Sequence, residues 1–351
     1  MRITLLSFNF TDYTMQLATA LSQNAVTIQL IITDFPRNLE QEEKRFREYL
    51  NTNGKTLNYS IYSQPRLYNI KYFLLNYRIF KQIISFDPDV VHIIGGCMWF
   101  SFLLPLLRIK KYQLITTFHD PKPHLGEKDL STRIIFYFET RYSDKIIVHG
   151  KKLKEIMMKE YGIANEKIYS ITIGEHMVAP FKKYENKDLK EDGNLILFFG
   201  RIQKYKGLEY LIKAEPLIKN HLPDAKIIIA GGGKRFKEYE KMIVNKESFI
   251  IHNHYISFQE GAELFQRASI VVLPYIEASQ SGVVVTAYGF KKPVIVTNTG
   301  SIPEIVDDNI TGLIVPPKNS IALAEAVIKL MKDENLRIRM GENAYKKLKK
   351  D

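Results

Sequence analysis

Short apolar runs rich in β-branched residues alternate along the chain with longer segments whose apolar positions recur at helical spacing. In the first half, the runs predicted as strands are 3–7, 26–32, 57–62, 90–94, 113–117, 145–148 and 167–171. In the second half they are 195–199, 226–230, 271–273 and 293–296, with a last run after Gly312. Alternation of strands and helices on this scale predicts βαβ crossovers and parallel sheets. A charge-mixed stretch near 37–49 predicts a solvated helix.

The length of the chain predicts two domains. It has 351 residues, which exceeds the usual size of one compact domain. Residues 178–193 are polar and charged and end in an Asp192-Gly193 turn, so we interpret them as a linker. The sequence therefore predicts an α/β protein with an N-terminal domain over 1–177 and a C-terminal domain over 194–351.

The charge of the chain points to anionic partners. Its formal net charge is +12, which suits nucleic acid, anionic lipid or phosphorylated small molecules. Residues 71–86 combine cations with apolar residues at helical spacing, and Arg108, Lys110 and Lys111 follow an apolar run. Such a segment fits an anionic membrane surface, and it fits equally a core-facing helix with a solvated basic edge.

Cysteine usage and the apolar runs bear on the compartment. Cys97 is the only cysteine, which excludes an intramolecular disulfide and fits a reducing cytoplasm. The first ten residues predict a strand and no signal peptide, and no apolar run reaches the roughly 18 to 20 residues of a spanning helix. We expect a cytoplasmic protein, with peripheral membrane contact as an open alternative.

Two loops that follow predicted strands carry anion-binding chemistry. After the strand 271–273 comes Glu277, and Ser281 and Gly282 then begin an apolar helix whose N-terminal N–H groups suit phosphate. After the strand 195–199 come Arg201 and Lys206. An arginine offers a forked contact and a lysine a compact charge, a combination that suits a diphosphate.

Together these motifs resemble the retaining glycosyltransferases of family 4, which have the GT-B fold. The family's Gly-Arg-x4-Lys-Gly element is matched by Gly200, Arg201, Lys206 and Gly207. Its Lys-Pro-Val-Ile strand and its Gly-Gly-x-Pro-Glu turn are matched by Lys292, Pro293, Val294, Ile295, Gly300, Pro303 and Glu304, with Ser301 replacing the second glycine. The family's Glu-x7-Glu pair is not matched, because Ala278 and Thr286 stand at the two positions.

The resemblance implies two Rossmann-like domains with parallel sheets facing a cleft, and a nucleotide-diphosphate sugar as the donor. It implies that Arg201 and Lys206, with Ser281 and Gly282, bind the diphosphate, so that no metal or other cofactor is expected. Retention of the anomeric configuration is likewise implied by the resemblance alone.

Further residues are carried over one by one. His119 follows the strand 113–117 and matches a family histidine near the donor sugar, and Glu277 serves as the first glutamate; these are the two predicted catalytic residues. The predicted nucleotide and ribose contacts are Gly232, Tyr255, Ile256, Gln280 and Thr286.

The acceptor side matches the family less closely. The loop after the first strand contains Asn9 and Asp12 and lacks the glycine pair of many relatives. Gly95 and Gly96 follow another strand and are predicted to line an acceptor cleft, whereas Trp99 is equally compatible with that cleft and with core packing.

The sequence thus predicts transfer of a sugar to an acceptor hydroxyl, in bacterial surface polysaccharide synthesis on a glycan or lipid-linked acceptor. A sugar-nucleotide epimerase or phosphorylase of the same architecture is one alternative. A polyanion-binding protein is another, but no nucleic-acid module is visible and nucleic acid is not an expected partner.

Overall fold

The computed structural model describes residues 1–8, 10–34, 57–65, 69–120, 130–172 and 174–350. Asn9, the segment 37–49 and the loop 121–128 lie outside these residues. The chain divides into two compact units. The first holds the described residues up to 148 together with 153–171, and the second holds 149–152 and the described residues from 172 onward. Residues 178–193, predicted as a linker, fall within the second unit.

The first unit contains a seven-stranded sheet. Its strands are β1 Arg2–Phe8, β2 Thr27–Asp34, β3 Asn58–Ser63, β4 Val90–Ile94, β5 Gln113–Phe118, β6 Lys145–His149 and β7 Ile168–Ile171, in the order β3-β2-β1-β4-β5-β6-β7. Strand β1 is parallel to both neighbours, with Ile3 opposite Ile28 on one side and Val90 on the other. The strand order reverses direction between β1 and β4, and ligands of such sheets bind where that happens.

The second unit repeats this architecture with six strands. They are β8 Leu195–Phe199, β9 Lys226–Ala230, β10 Phe249–His252, β11 Ile270–Leu273, β12 Val294–Thr297 and β13 Gly312–Val315, in the order β10-β9-β8-β11-β12-β13. Leu197 lies opposite Ile228 on one side and Val271 on the other, in parallel pairs. The reversal point is therefore between β8 and β11. The predicted α/β fold with parallel sheets is confirmed.

Helices surround both sheets. In the first unit they are α1 Thr11–Ser22, α2 Ile70–Phe86, α3 Met98–Ser101, α4 Leu104–Ile109, α5 Leu130–Tyr142 and α6 Lys151–Tyr161, the last beginning in residues that group with the second unit. In the second unit they are α7 Ala179–Lys182, α8 Leu208–His221, α9 Phe236–Glu240, α10 Phe258–Arg267, α11 Gly282–Gly289, α12 Ile302–Ile305, α13 Ser320–Lys332 and α14 Glu334–Lys350. Among the described residues, no helix is both long enough and apolar enough to cross a membrane.

The predicted strands are continuous apolar runs because buried apolar clusters cover both faces of the sheet. In β8, Ile196 and Phe198 belong to one buried cluster, whereas Leu195 and Leu197 belong to the cluster on the opposite face. Strands buried on both faces are continuous apolar runs without alternation. Each such side chain contributes about 1.5–3 kcal/mol when it is fully buried.

Phe181 shows how the predicted linker joins the second unit. Its ring packs edge-on against Phe199, Phe258 and Phe265, with centroids 4.9–6.0 Å apart. Aromatic contacts of this kind stabilise beyond the apolar area that they bury. The charged residues that predicted a linker are thus interrupted by one aromatic anchor.

Cys97 is buried in the first unit. Its thiol Sγ lies 3.3 Å from Tyr72 Oη and 3.5 Å from Asn76 Oδ1. Burial raises the pKa of this thiol, which keeps it protonated. It therefore behaves as a structural residue.

Candidate functional site

Lys206 and Tyr275 meet at the reversal point of the second sheet. Lys206 Nζ donates a hydrogen bond of 2.7 Å to Tyr275 Oη and lies 3.9 Å from the centre of its ring. The loop after β11 is fixed to the loop after β8, because Ile276 N donates to Tyr205 O at 2.8 Å. The cation predicted after β8 is thereby placed beside the loop after β11, as the strand order requires.

The hydroxyl of Tyr275 extends this contact to the helix start at Ser281. Tyr275 is fully buried, and burial raises the pKa of its hydroxyl. Tyr275 Oη lies 3.4 Å from Ser281 Oγ, and Ser281 is the residue before α11. The Ser281 side chain makes no capping hydrogen bond to α11. Lys206 and Ser281, both predicted diphosphate contacts, are therefore brought together, and the sequence analysis missed Tyr275 as their link.

Gly207 makes this approach possible. Its φ is +65°, and a Cβ atom at this position would lie 1.9 Å from the carbonyl oxygen of Pro274. Only glycine combines a left-handed backbone with such a close approach. The loop can therefore carry Lys206 directly over the end of β11.

The other predicted donor contacts lie in different surroundings. Arg201 is exposed and Glu277 is half-buried. The Oε1 atom of Gln280 is buried without a hydrogen-bond partner among the described residues. The Thr286 hydroxyl donates 2.9 Å to the carbonyl of Gly282, within its own helix. Gln280 thus holds a buried acceptor atom that the described residues leave without a hydrogen bond.

The triple glycine after β9 packs against the loop that contains Tyr255. Gly233 N donates 3.0 Å to Asn253 Oδ1, and a Cβ on Gly232 would lie 3.7 Å from Tyr255 N. Tyr255 is 70% exposed and Ile256 is half-buried. The predicted base contacts Gly232 and Tyr255 therefore lie side by side at the ends of β9 and β10, whereas Ile256 packs against a buried apolar cluster.

The first unit contains a cavity of about 910 Å³ at the ends of β4 and β5. Its wall includes His119, Phe10, Gly95, Gly96 and Glu139. His119 is 8% exposed, and its ring stacks on Phe10 with the centroids 3.9 Å apart. The two glycines and the histidine predicted from sequence thus share one cavity.

Trp99 is not among the lining residues of that cavity. It packs between Phe73 and Phe102, with ring centroids 6.1 and 6.3 Å away. Those two rings are exposed, but Trp99 also packs against the buried cluster that contains Phe100 and Leu104, so the structure favours core packing of the two interpretations left open by the sequence.

Glu139 is the residue of this cavity that the sequence analysis did not find. It is buried, and burial raises the pKa of its carboxyl group to about 8. A Cβ on Gly96 would lie 2.0 Å from Ile135 Cγ2 and 3.0 Å from Glu139 Oε1, so one face of α5 rests on the loop after β4. The i, i+4 spacing of Ile135 and Glu139 is the only sequence signal for this orientation. A buried carboxyl in a cavity wall is typical of functional sites.

Two segments of the first unit combine exposed apolar side chains with cations, and the ring of Trp99 lies between Phe73 of one and Phe102 of the other. We call the two segments together the apolar-basic face; its apolar members are Ile70, Phe73, Leu74, Tyr77, Phe102, Leu106 and Ile109, and its cations are Lys71, Arg78, Lys81, Lys110 and Lys111. Helix α2 buries Tyr72, Ile79 and Ile83 on its opposite side. The helix therefore has a core-facing side and, in addition, an exposed apolar side.

Comparison with known proteins matches both halves of the chain to glycosyltransferase families. The family described as Glycosyl transferases group 1 matches residues 181–347, and Glycosyltransferase Family 4 matches residues 11–174. A glycosyltransferase of Methanocaldococcus jannaschii is 31% identical over 290 residues, which cover 80% of this chain and 76% of the relative.

Solved structures share the fold at low sequence identity. The sucrose-phosphate synthase of Thermosynechococcus elongatus superposes with a TM-score of 0.76 at 16% identity, over 100% of this chain and 94% of that one. Anabaena HepE, solved in complex with UDP and glucose, superposes with a TM-score of 0.74 at 15% identity, over 100% of this chain and 95% of that one.

Proposed function

The chain belongs to the group 1 glycosyltransferases of family 4, and we propose that it transfers a sugar from a nucleotide-diphosphate sugar to an acceptor hydroxyl with retention of configuration. The second unit would bind the donor, and the cavity of the first unit would bind the acceptor. A role in bacterial surface polysaccharide synthesis, on a glycan or lipid-linked acceptor, is part of this proposal.

The observation that carries the proposal is the meeting of Lys206, Tyr275 and Ser281 at the reversal point of the second sheet. Cleavage of the bond between the anomeric carbon and the phosphate oxygen leaves negative charge on the diphosphate. A lysine and an uncapped helix start suit that charge, as does Arg201 from the loop that also carries Lys206, and such groups act most strongly where water is excluded. Tyr275 would position the Lys206 ammonium.

The remaining predicted donor residues would contact the sugar and the nucleotide. Glu277 would orient the sugar hydroxyls and favour the positive charge that develops on the ring, and His119 would contact the donor sugar. Gly232, Tyr255, Ile256, Gln280 and Thr286 would hold the nucleotide, in support of which a structural neighbour is known with UDP. Because the protein itself supplies cations, we expect no divalent metal at the diphosphate and no other cofactor.

Nucleotide binding is expected to test the proposal directly. Thermal unfolding of protein freed of metal by chelator treatment and desalting is measured with UDP, GDP, ADP, CMP and dTDP, each with and without EDTA. One diphosphate at about 100 times its dissociation constant should add about 2.7 kcal/mol of stability, with EDTA having no effect. Lys206→Ala and Arg201→Ala should each weaken binding by about 10-fold or more, the effect of losing a hydrogen bond to a charged group.

Lys332→Ala is the matched control, because Lys332 is an exposed lysine at the end of α13. It should bind the nucleotide as the wild type does. The proposal would be contradicted if none of the five nucleotides stabilised the protein. It would also be contradicted if Lys332→Ala weakened nucleotide binding as much as Lys206→Ala and Arg201→Ala. An effect of EDTA would contradict only the expected metal independence.

The alternative functions predict different products. An epimerase would convert the donor alone, and a phosphorylase would use inorganic phosphate. A polyanion binder would show salt-dependent stabilisation by heparin or DNA. The family matches do not favour these alternatives.

The apolar-basic face supports peripheral contact with an anionic membrane. Ile70 is 70% and Ile109 is 74% exposed, and cations flank both. Apolar side chains beside lysines fit the boundary between acyl chains and anionic headgroups. A lipid-linked acceptor would be reached from such a surface.

Vesicle binding is expected to depend on this face. Co-sedimentation with phosphatidylcholine vesicles containing about 30% phosphatidylglycerol should fall about tenfold in the Ile70→Ser, Leu74→Ser variant, because two exposed apolar chains no longer insert. The control replaces Ile321 and Ile338, which are similarly exposed in the second unit, and should bind normally. Equal binding by both variants would contradict the assignment.

A further inference from the structure

Two histidines and a glutamate of the second unit converge near the ends of β10 and α10. His252 Nδ1 lies 2.9 Å from Glu260 Oε1, and His254 Nε2 lies 3.0 Å from the same oxygen and 3.1 Å from Oε2. One ligand atom of each residue lies within 4.8 Å of the other two. The three side chains therefore already form a compact triangle of nitrogen and oxygen donors.

The local fold holds these side chains in place. His252 is the last residue of β10, and His254 follows two positions later, so that both imidazoles reach the same side. Glu260 lies in the first turn of α10, where its N–H donates 3.1 Å to the Oγ of Ser257, the residue that caps the helix. The end of β10 and the capped start of α10 thus position the ligand atoms independently of each other.

We propose that His252, His254 and Glu260 form a binding site for a divalent transition metal of the zinc class. Two imidazole nitrogens and one carboxylate suit Zn²⁺, Co²⁺ or Ni²⁺ better than Mg²⁺ or Ca²⁺, which prefer oxygen ligands. Ligands about 2.0–2.1 Å from a tetrahedral ion lie about 3.3 Å apart. The observed His–Glu distances of 2.9–3.1 Å are close to this value, and all three ligand atoms lie within 4.8 Å of one another, so that side-chain shifts would bring them to one ion.

The side chains of the site suit a cation. Glu260 supplies a carboxylate oxygen, and His252 and His254 each supply an imidazole nitrogen. A water molecule can occupy the fourth position, because His254 is exposed.

The site would act on the loop that contains Tyr255. Asn253 lies between the two histidines and accepts a hydrogen bond from Gly233 N, and Tyr255 follows His254 directly. An ion bound to both histidines would restrict this loop. This consequence for donor binding rests on the proposed function, whereas metal binding itself does not.

The test titrates the full chain with Zn²⁺ by calorimetry, without nucleotide, after chelator treatment and desalting. We expect one ion per chain, and no comparable binding of Mg²⁺ or Ca²⁺. His254→Ala and Glu260→Gln should each weaken Zn²⁺ binding by more than about 10-fold, the loss that even outer-shell changes cause.

His221→Ala is the matched control, because His221 is an exposed histidine on α8 of the same unit. It should bind Zn²⁺ as the wild type does. Absence of saturable binding, or binding that survives His254→Ala and Glu260→Gln with an unchanged affinity, would overturn the proposal. Because no nucleotide is present, neither result depends on donor binding.

Discussion

Glu139→Gln is expected to stabilise the protein at pH 8 and to remove the fall in stability that the Glu139 carboxyl causes between about pH 5 and 8. The Glu139 carboxyl has a pKa of about 8 in the folded protein, against an ordinary value of 4.5. Between these values the folded protein keeps a proton that the unfolded chain has lost. The contribution of this carboxyl to the free energy of unfolding therefore falls by about 1.4 kcal/mol per pH unit as the pH rises, and levels off above the folded pKa.

Urea unfolding of both proteins at pH 5, 6, 7 and 8 measures this difference. The two should have similar stability near pH 5 and diverge by a few kcal/mol at pH 8. Glu325→Gln is the control, since Glu325 is an exposed glutamate on α13. A variant whose slope equals that of the wild type would show that the Glu139 carboxyl is solvated or paired.

Gly207→Ala is expected to destabilise the second unit by about 2–5 kcal/mol and to abolish nucleotide stabilisation. The left-handed φ costs about 1–2 kcal/mol for a residue with a Cβ, and the clash with the Pro274 carbonyl adds about 1–3 kcal/mol. Because the new Cβ would lie 1.9 Å from that oxygen, the loop must move away from the end of β11. Lys206 would then lose its contact with Tyr275.

Two other glycines allow the cost of the left-handed backbone to be separated from the cost of the clash. Gly162 shares the left-handed backbone, with φ +64°, but no atom lies within 4 Å of its Cβ position, so Gly162→Ala should show the backbone cost alone. Gly193 has neither constraint, and Gly193→Ala should be neutral. Thermal and urea unfolding of the three variants measure the backbone cost and the cost of the clash separately. A Gly207→Ala protein no less stable than Gly162→Ala would rule out the clash.

The sequence predicted the limits of secondary structure best for strands that are buried on both faces. The apolar run 195–199 predicted a strand, and β8 has the same limits, Leu195–Phe199. Strands covered on both faces need apolar residues at every position, so their limits are visible in composition. Strand order was not visible, because it depends on which strands pair.

The candidate site was predictable where residues follow strands. Lys206 and Ser281 each follow a strand, and β8 and β11 are neighbours in the sheet, so they meet. The link through Tyr275 was missed, because a tyrosine in a polar loop gives no sign of turning inward. Likewise the burial of Glu139 arises from packing of α5 on Gly96, a contact between distant parts of the chain.

The native chain is expected to react little with maleimides, because the thiol of Cys97 is buried and burial raises its pKa. Cys97 is also the only cysteine in the sequence. Cysteines introduced at exposed positions such as Lys71 in the first unit and Lys332 in the second would therefore be labelled selectively. Fluorescent dyes at those positions would follow the distance between the two units during turnover, without prior removal of a native residue.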